Sequence, residues 1–324
     1  MLTIRPRRNR KTDAIRRMIE ENILKPADLV APFFILEGHQ IKEEVPSFPG
    51  VYRMTVDHLL KEAHRLHSKG VPSVALFPVI EPSLKDAQGS KALDKNGILT
   101  KAIAALKQEI PSLCVIVDVA LDPYTSHGHD GVADENGNVL NDPTVKILSE
   151  LSLIIAAAGA DYVAPSDMMD GRIGAIRNTL DESGFQEVGI VAYTAKYASN
   201  LYAPFRDTLR SKLKFGDKKT YFLNPANSRE AVRQALLDVE QGADMIIIKP
   251  ALFYLDIIAQ LRAHVHVPIA AYHVSGEYSM VMAAHANGWL DAPKVFHEGL
   301  LSIKRAGADF IFTYAVDHVL PLIC

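Results

Sequence analysis

Eight short apolar runs, each followed by a longer segment of helical period, are spaced along the whole chain, and few folds can use such an alternation. The runs cover residues 29–36, 73–80, 114–121, 161–165, 189–195, 245–249, 268–274 and 309–314. Strand-length apolar runs alternating with amphipathic segments are the pattern of parallel β/α units, whose helices cover both faces of the sheet. Eight such units predict an α/β chain folded as a (β/α)8 TIM barrel. An open doubly wound sheet is the rival, but no Gly-x-Gly-x-x-Gly follows the first run and no break divides the chain into halves. The helical segments have readable ends: 56–69 stops at Gly70, and 143–158 carries Asp142 as an N-cap and Gly159 just past its end. The tripeptide Gly-Ala-Asp recurs at 159–161, 242–244 and 307–309, each time leaving a helix and entering a strand.

At 324 residues, 48% of them hydrophobic, the chain can fill one barrel core without a second domain. Residues 28–324 are assigned to that barrel and two segments fall outside its eight units. Residues 1–27 form a helix-capable arm carrying Arg5, Arg7, Arg8, Arg10 and Lys11, and residues 197–230, after the fifth strand, form a long insertion. A net charge of −3 gives no global basic field, so nucleic acid is not an expected partner. The first residues contain no export-type apolar stretch, and the longest apolar runs fall short of the roughly 18 residues needed to cross a bilayer, so no membrane partner is expected. Cys114 and Cys324 are the only cysteines, which supports neither a disulfide framework nor a thiolate metal cluster and fits a reducing cytoplasm.

A barrel presents functional side chains at the carboxyl ends of its strands, so the phase of the runs predicts which polar residues share one mouth. They are Asp118, Ser166, Lys196, Lys249, Ser275 and Tyr314. Two lysines from neighbouring strands repel each other as ammonium ions and lose hydration, and both effects favour the neutral amine. A neutral amine attacks a ketone to form an imine, whose protonated form withdraws electrons and acidifies the adjacent carbon. A lone lysine at a strand end is more often a solvated charge. Lys249, however, follows Met245-Ile-Ile-Ile and precedes Pro250, which fixes its stem and limits water at its amine.

The insertion interleaves Arg206, Arg210, Lys212, Lys214, Lys218 and Lys219 with Tyr197, Tyr202, Phe205 and Tyr221. It reads as a lid over the mouth, with a few inward cations binding substrate carboxylates and the others solvated. Between Asp118 and Gly131 lie Asp122, His127, His129 and Asp130. The carboxylate oxygens would suit Mg²⁺ and a thiolate zinc site is excluded, although no fixed ligand spacing distinguishes this stretch from a polar turn.

These residues fall in blocks that resemble the porphobilinogen synthase (5-aminolevulinic acid dehydratase) family over essentially the whole chain. The most specific block is Gly242-Ala-Asp-Met-Ile-Ile-Ile-Lys249-Pro-Ala-Leu-Phe-Tyr254-Leu-Asp256, and Tyr193-Thr-Ala-Lys196, Pro204-Phe-Arg206, Tyr124-Thr-Ser-His-Gly-His, Ala164-Pro-Ser-Asp-Met-Met-Asp-Gly171 and Tyr272-His-Val-Ser-Gly-Glu277 follow suit. The resemblance implies a hydro-lyase of tetrapyrrole (haem) biosynthesis that condenses two 5-aminolevulinate molecules to porphobilinogen. It implies that Lys249 holds the P-side substrate and Lys196 the A-side substrate as Schiff bases. It implies further that Asp118 and Ser166 line the A-side pocket, that Arg206 and Lys218 bind the A-side carboxylate, and that Ser275 and Tyr314 bind the P-side carboxylate. Tyr202 of the lid joins these substrate contacts, and either Asp118 or a Schiff-base lysine is the proton acceptor.

Three departures matter. Ala120, Asp122 and Asp130 stand where zinc-dependent members carry three cysteines, so no catalytic zinc is expected and only Asp122 and Asp130 remain for Mg²⁺, which the sequence does not require. Gln234 stands at the family's allosteric magnesium glutamate, and Phe222 at a common lid glutamine. The family also implies a homo-oligomer, commonly an octamer, in which an arm such as 1–27 wraps a neighbour. Two alternatives share the barrel: a class I lysine-imine aldolase, which needs one imine lysine, and a non-catalytic scaffold.

Overall fold

A computed structural model describes residues 2–324. Its strands are β1 Leu29–Ile35, β2 Lys42–Glu44, β3 Tyr52–Met54, β4 Ser73–Pro78, β5 Cys114–Val119, β6 Tyr162–Pro165, β7 Gly189–Lys196, β8 Met245–Lys249, β9 Ile269–His273 and β10 Phe310–Thr313. β1 and β4 to β10 pair in parallel and in chain order, and pairing of β1 with β10 closes the ring. These eight staves are the eight apolar runs, and helices lie between them, so the chain is a (β/α)8 barrel. β4 and β8 are buried almost throughout, as staves covered on both faces must be.

The Gly-Ala-Asp repeat has a structural cause. Each glycine lies at positive φ, +100° at Gly159, +102° at Gly242 and +119° at Gly307, where a side chain would be strained as the chain turns out of its helix. Each aspartate then accepts a hydrogen bond from a backbone N–H of the preceding stave: Asp161 from Val115, Asp244 from Ile190 and Asp309 from Ile269, all at 2.7 Å. The carboxylate thus continues the ladder one step beyond the strand end, and its position fixes the register at three seams of the barrel. Asp142 behaves differently from expectation. The helix Asn141–Ala157 begins earlier, Leu140 occupies its N-cap, and Asp142 sits in the first turn, where its charge opposes the helix dipole.

The antiparallel hairpin β2–β3 was not anticipated. Its strands are three residues long, and β2 is Lys-Glu-Glu, so no apolar alternation marks it. It is held because β3 continues beside the end of β1, pairing Arg53 with Phe34 and Met54 with Ile35. The arm contains the helix Asp13–Met18, and the first buried side chain met along the described chain is Leu24. Leu2, Ile4, Met18 and Ile23 of the arm are exposed.

One irregularity sets up the mouth. Tyr193 pairs with Ile247, Ala195 with Ile248 and Lys196 with Lys249, so Thr194 is an extra residue in β7. Strict alternation would send Tyr193 and Lys196, three positions apart, to opposite faces. The bulge restores them to the same face while the Thr194 hydroxyl turns outward to the Asp238 carboxylate at 2.8 Å.

Candidate active site

Lys196 and Lys249 end adjacent staves at the same level of the barrel. Both are buried, at 6% and 4% exposure, and both line a cavity of about 120 Å³ together with Tyr202, Phe205, Arg206, Lys218, Phe222 and Asp122. Four of the predicted residues from three segments, Lys196, Lys249, Arg206 and Lys218, therefore meet at one concavity, as does Tyr202.

The two amines are held differently. Lys249 Nζ lies over the rings of Tyr272 at 4.3 Å, Phe205 at 4.7 Å, Tyr193 at 5.2 Å and Tyr202 at 5.5 Å, and among the described residues no carboxylate forms an ion pair with it. Ring faces favour an ammonium by about 2 kcal/mol when desolvated, which does not match the loss of hydration inside the barrel. Burial first, and then repulsion by Lys196, bring the Lys249 amine down to about 7. A free amine is therefore accessible at Lys249 near neutral pH. Lys196 Nζ instead donates to the Ser166 carbonyl and to Asp130 Oδ1, the latter at 3.1 Å, with the Phe222 ring 4.2 Å away. Phe222 thus covers the amine rather than bonding to it.

Asp118, at the end of β5, is buried, and its Oδ1 has no hydrogen-bond partner. Burial pushes its carboxyl up to about 7 against the pull of Lys196 and Lys249, so it can hold or release a proton near neutrality. Ser166 is buried beside Lys196 and offers it a backbone oxygen.

Asp130 is the hub of the charged side. Its carboxylate meets Lys218 Nζ at 2.5 Å, Lys196 at 3.1 Å and the Tyr221 hydroxyl at 3.1 Å, and Tyr221 in turn bonds His129 at 2.9 Å. Burial would raise its pKa, but the two lysines outweigh burial and hold it at about 2. Lys218 also stands 3.7 Å from Asp122. An ammonium therefore fills the place between Asp122 and Asp130 that a divalent ion would need, and the two carboxylates do not fit Mg²⁺ in this arrangement. Among the described residues no group of three or more His, Cys, Asp and Glu side chains is arranged to hold a metal. Gln234, in the helix Arg229–Glu240, donates to Asp238 at 2.9 Å.

Ser275 and Tyr314 do not line this cavity. The Ser275 hydroxyl accepts the Phe205 N–H at 3.2 Å and donates to the Leu201 carbonyl at 3.1 Å, so it is engaged with the base of the lid. Tyr314 shares a 2.8 Å hydrogen bond with Tyr272, whose ring faces Lys249. Sequence reasoning missed three contributors. Tyr193, three residues before Lys196, and Tyr272 both lie in the quoted blocks, but only the bulge reveals that Tyr193 faces inward. Glu277, fully buried, accepts Leu252 N–H at 2.7 Å and Val274 N–H at 2.8 Å, and so ties the loop after Lys249 to the start of the helix bearing Ser275. Its place three residues after Val274, the N-cap of that helix, is the one signal that could have found it.

The barrel, the paired buried amines and the cation-lined mouth define a class of protein, a (β/α)8-barrel lyase. The delta-aminolevulinic acid dehydratase family model matches residues 3–322. The delta-aminolevulinic acid dehydratase of Chlamydia pneumoniae is 52% identical over 322 residues, covering 99% of this chain and 97% of that protein. The one from Bradyrhizobium diazoefficiens is 49% identical, covering 97% and 89%. The crystal structure of delta-aminolevulinic acid dehydratase (porphobilinogen synthase) from Toxoplasma gondii, in complex with its reaction product porphobilinogen, superposes with a TM-score of 0.97 at 45% identity, covering 99% of this chain and 92% of that one. The chain belongs to the delta-aminolevulinic acid dehydratase family.

Proposed function

We propose that the protein condenses two molecules of 5-aminolevulinate to porphobilinogen and two waters, as a porphobilinogen synthase of tetrapyrrole biosynthesis. The observation that carries this reading is the register of Lys196 opposite Lys249, which sets two buried amines side by side over one small cavity flanked by Arg206 and Lys218. A reaction between two keto acids needs two carbonyl anchors, which the lysines supply, and carboxylate clamps, of which Arg206 and Lys218 flank the cavity. Lys249, the freer amine, attacks the ketone of the P-side substrate, and Lys196 takes the A-side ketone once its proton has passed to a neighbouring base. Each protonated imine acidifies its adjacent carbon, and fixing both substrates makes formation of the C–C and C–N bonds effectively intramolecular. Arg206 and Lys218 hold the A-side carboxylate; for Lys218 this exchanges the Asp130 carboxylate for that of the substrate. Ser275 and Tyr314 serve the P-side carboxylate, Ser166 lines the A-side pocket, and the proton acceptor is Asp118, whose carboxyl is raised to about 7, or a Schiff-base lysine.

The proposed reaction proceeds without a catalytic metal, a reading supported by Lys218 standing between Asp122 and Asp130. We assign the protein to the cytoplasm as a homo-oligomer of octameric type. The two cysteines, neither in a disulfide, fit a reducing compartment, and the exposed apolar side chains of the arm support self-association. The test is turnover of 5-aminolevulinate by purified protein with EDTA or Mg²⁺, with borohydride trapping of wild type, Lys249→Ala and Lys196→Ala. Product in the chelated sample, substrate-dependent trapping, and loss of turnover in both variants are expected. Absence of product from folded protein under every metal condition would overturn the assignment, and dispensability of Lys196 would move it to a one-lysine aldolase.

A further inference from the structure

We propose that Arg53 and Lys85 are positioning residues that clamp the C-terminal end of the lid helix Ala203–Thr208 and thereby hold Arg206 at the cavity. This builds on the reading of Arg206 as a carboxylate clamp. A six-residue helix has too few internal hydrogen bonds to persist in water, and its last carbonyls have no partner within it. Here four consecutive carbonyls are taken by two cations from outside the lid. Arg53 donates from Nε to the Thr208 carbonyl at 2.8 Å and from Nη2 to the Asp207 carbonyl at 2.9 Å. Lys85 Nζ donates to the carbonyls of Leu209 and Arg210, both at 3.0 Å.

The clamp is built rather than incidental. Arg53 is only 5% exposed, and its remaining Nη1 is fixed by Glu43 Oε1 at 2.7 Å, so the hairpin β2–β3 orients the guanidinium before the lid meets it. That assigns a purpose to a hairpin outside the eight β/α units. The lid adds reciprocal contacts: Asp207 bonds the Ser47 hydroxyl at the hairpin turn, and Arg210 pairs with Glu43 and Glu81. At the other end of the helix the Phe205 N–H is held by Ser275. Arg206 therefore sits between two fixed points, and neither Arg53 nor Lys85 lines the cavity itself. The planar fork of Arg53 serves two carbonyls at once, which a lysine cannot reproduce.

The test uses the full-length enzyme with Arg53→Met, Arg53→Lys and Lys85→Met. KM for 5-aminolevulinate is expected to rise about tenfold in Arg53→Met, the scale of losing hydrogen bonds from a charged donor, and less in Arg53→Lys. Borohydride trapping at Lys249 should stay at the wild-type level, because the P-side amine is untouched. Hydrogen exchange should show the amides of Leu209, Arg210 and Ser211 protected in wild type and exposed in Arg53→Met and Lys85→Met. Unchanged KM with equally protected lid amides would overturn the clamp, as would a KM rise matched by an equal fall in Lys249 trapping, which marks general damage. Should wild type make no porphobilinogen, the assigned reaction fails while the exchange pattern alone still decides the clamp.

Discussion

Lys249 shows how far a side chain's chemistry depends on its surroundings. Its amine is brought down to about 7 by burial and by Lys196, so the nucleophilic free amine grows as pH climbs through 7 and is scarce below it. The rate at low substrate concentration is expected to rise about tenfold per pH unit below 7 and to level above it, read from initial rates of porphobilinogen formation. Asp118, raised into the same range, sharpens the test. A limb steeper than tenfold per unit would enlist Asp118 as a base that must also be deprotonated, whereas a rate independent of pH across this range would remove Lys249 from the rate-limiting chemistry. The lysines were legible because two strand-end amines on neighbouring staves stand out in sequence. Asp130 was not legible as the partner of Lys196 and Lys218, because its counter-ions lie 66 and 88 positions further along the chain. In the sequence it resembled a metal ligand, and only the fold places an ammonium beside it.

At the scale of elements, the staves and the glycine stops that precede them could be read because their signals are local: apolar runs, and glycines the structure holds at positive φ. The hairpin β2–β3 and the Thr194 bulge could not, since one is charged and short and the other adds a residue without altering composition. The contact between the lid base and the helix Ser275–Ala286 depends on Gly276, where an added Cβ would lie 2.6 Å from the Leu201 carbonyl oxygen and 2.7 Å from Leu201 Cα. Both are backbone atoms with no free rotation to yield. Gly276→Ala is therefore expected to displace the Leu201–Phe205 segment, raising KM severalfold while the barrel's far-ultraviolet circular dichroism stays unchanged. Wild-type KM in that variant would mean the lid base does not need this approach.

For the whole molecule the arm is the feature that one chain leaves unfinished. Leu2, Ile4, Met18 and Ile23 expose 69%, 81%, 77% and 68% of their surface, whereas Leu24 is buried against the barrel. Apolar side chains so placed gain little from this chain and much from a second copy. Deleting residues 2–22, which keeps Leu24, should leave the barrel folded and lower the mass of the particle in analytical ultracentrifugation; an unchanged mass would show that the arm does not hold the assembly. The sequence by itself determined the barrel, the insertion after its fifth stave and the pair of lysines, because strand period, turn glycines and strand-end chemistry act over a few residues. Only the tertiary structure decided that Lys196 faces Tyr193, that Asp130 is held between two ammonium groups, and that Arg53 of a hairpin caps the lid helix. The first depends on one bulge within a strand, whereas the other two join segments tens to more than a hundred residues apart, which closure of the barrel rather than any local preference brings within hydrogen-bonding distance.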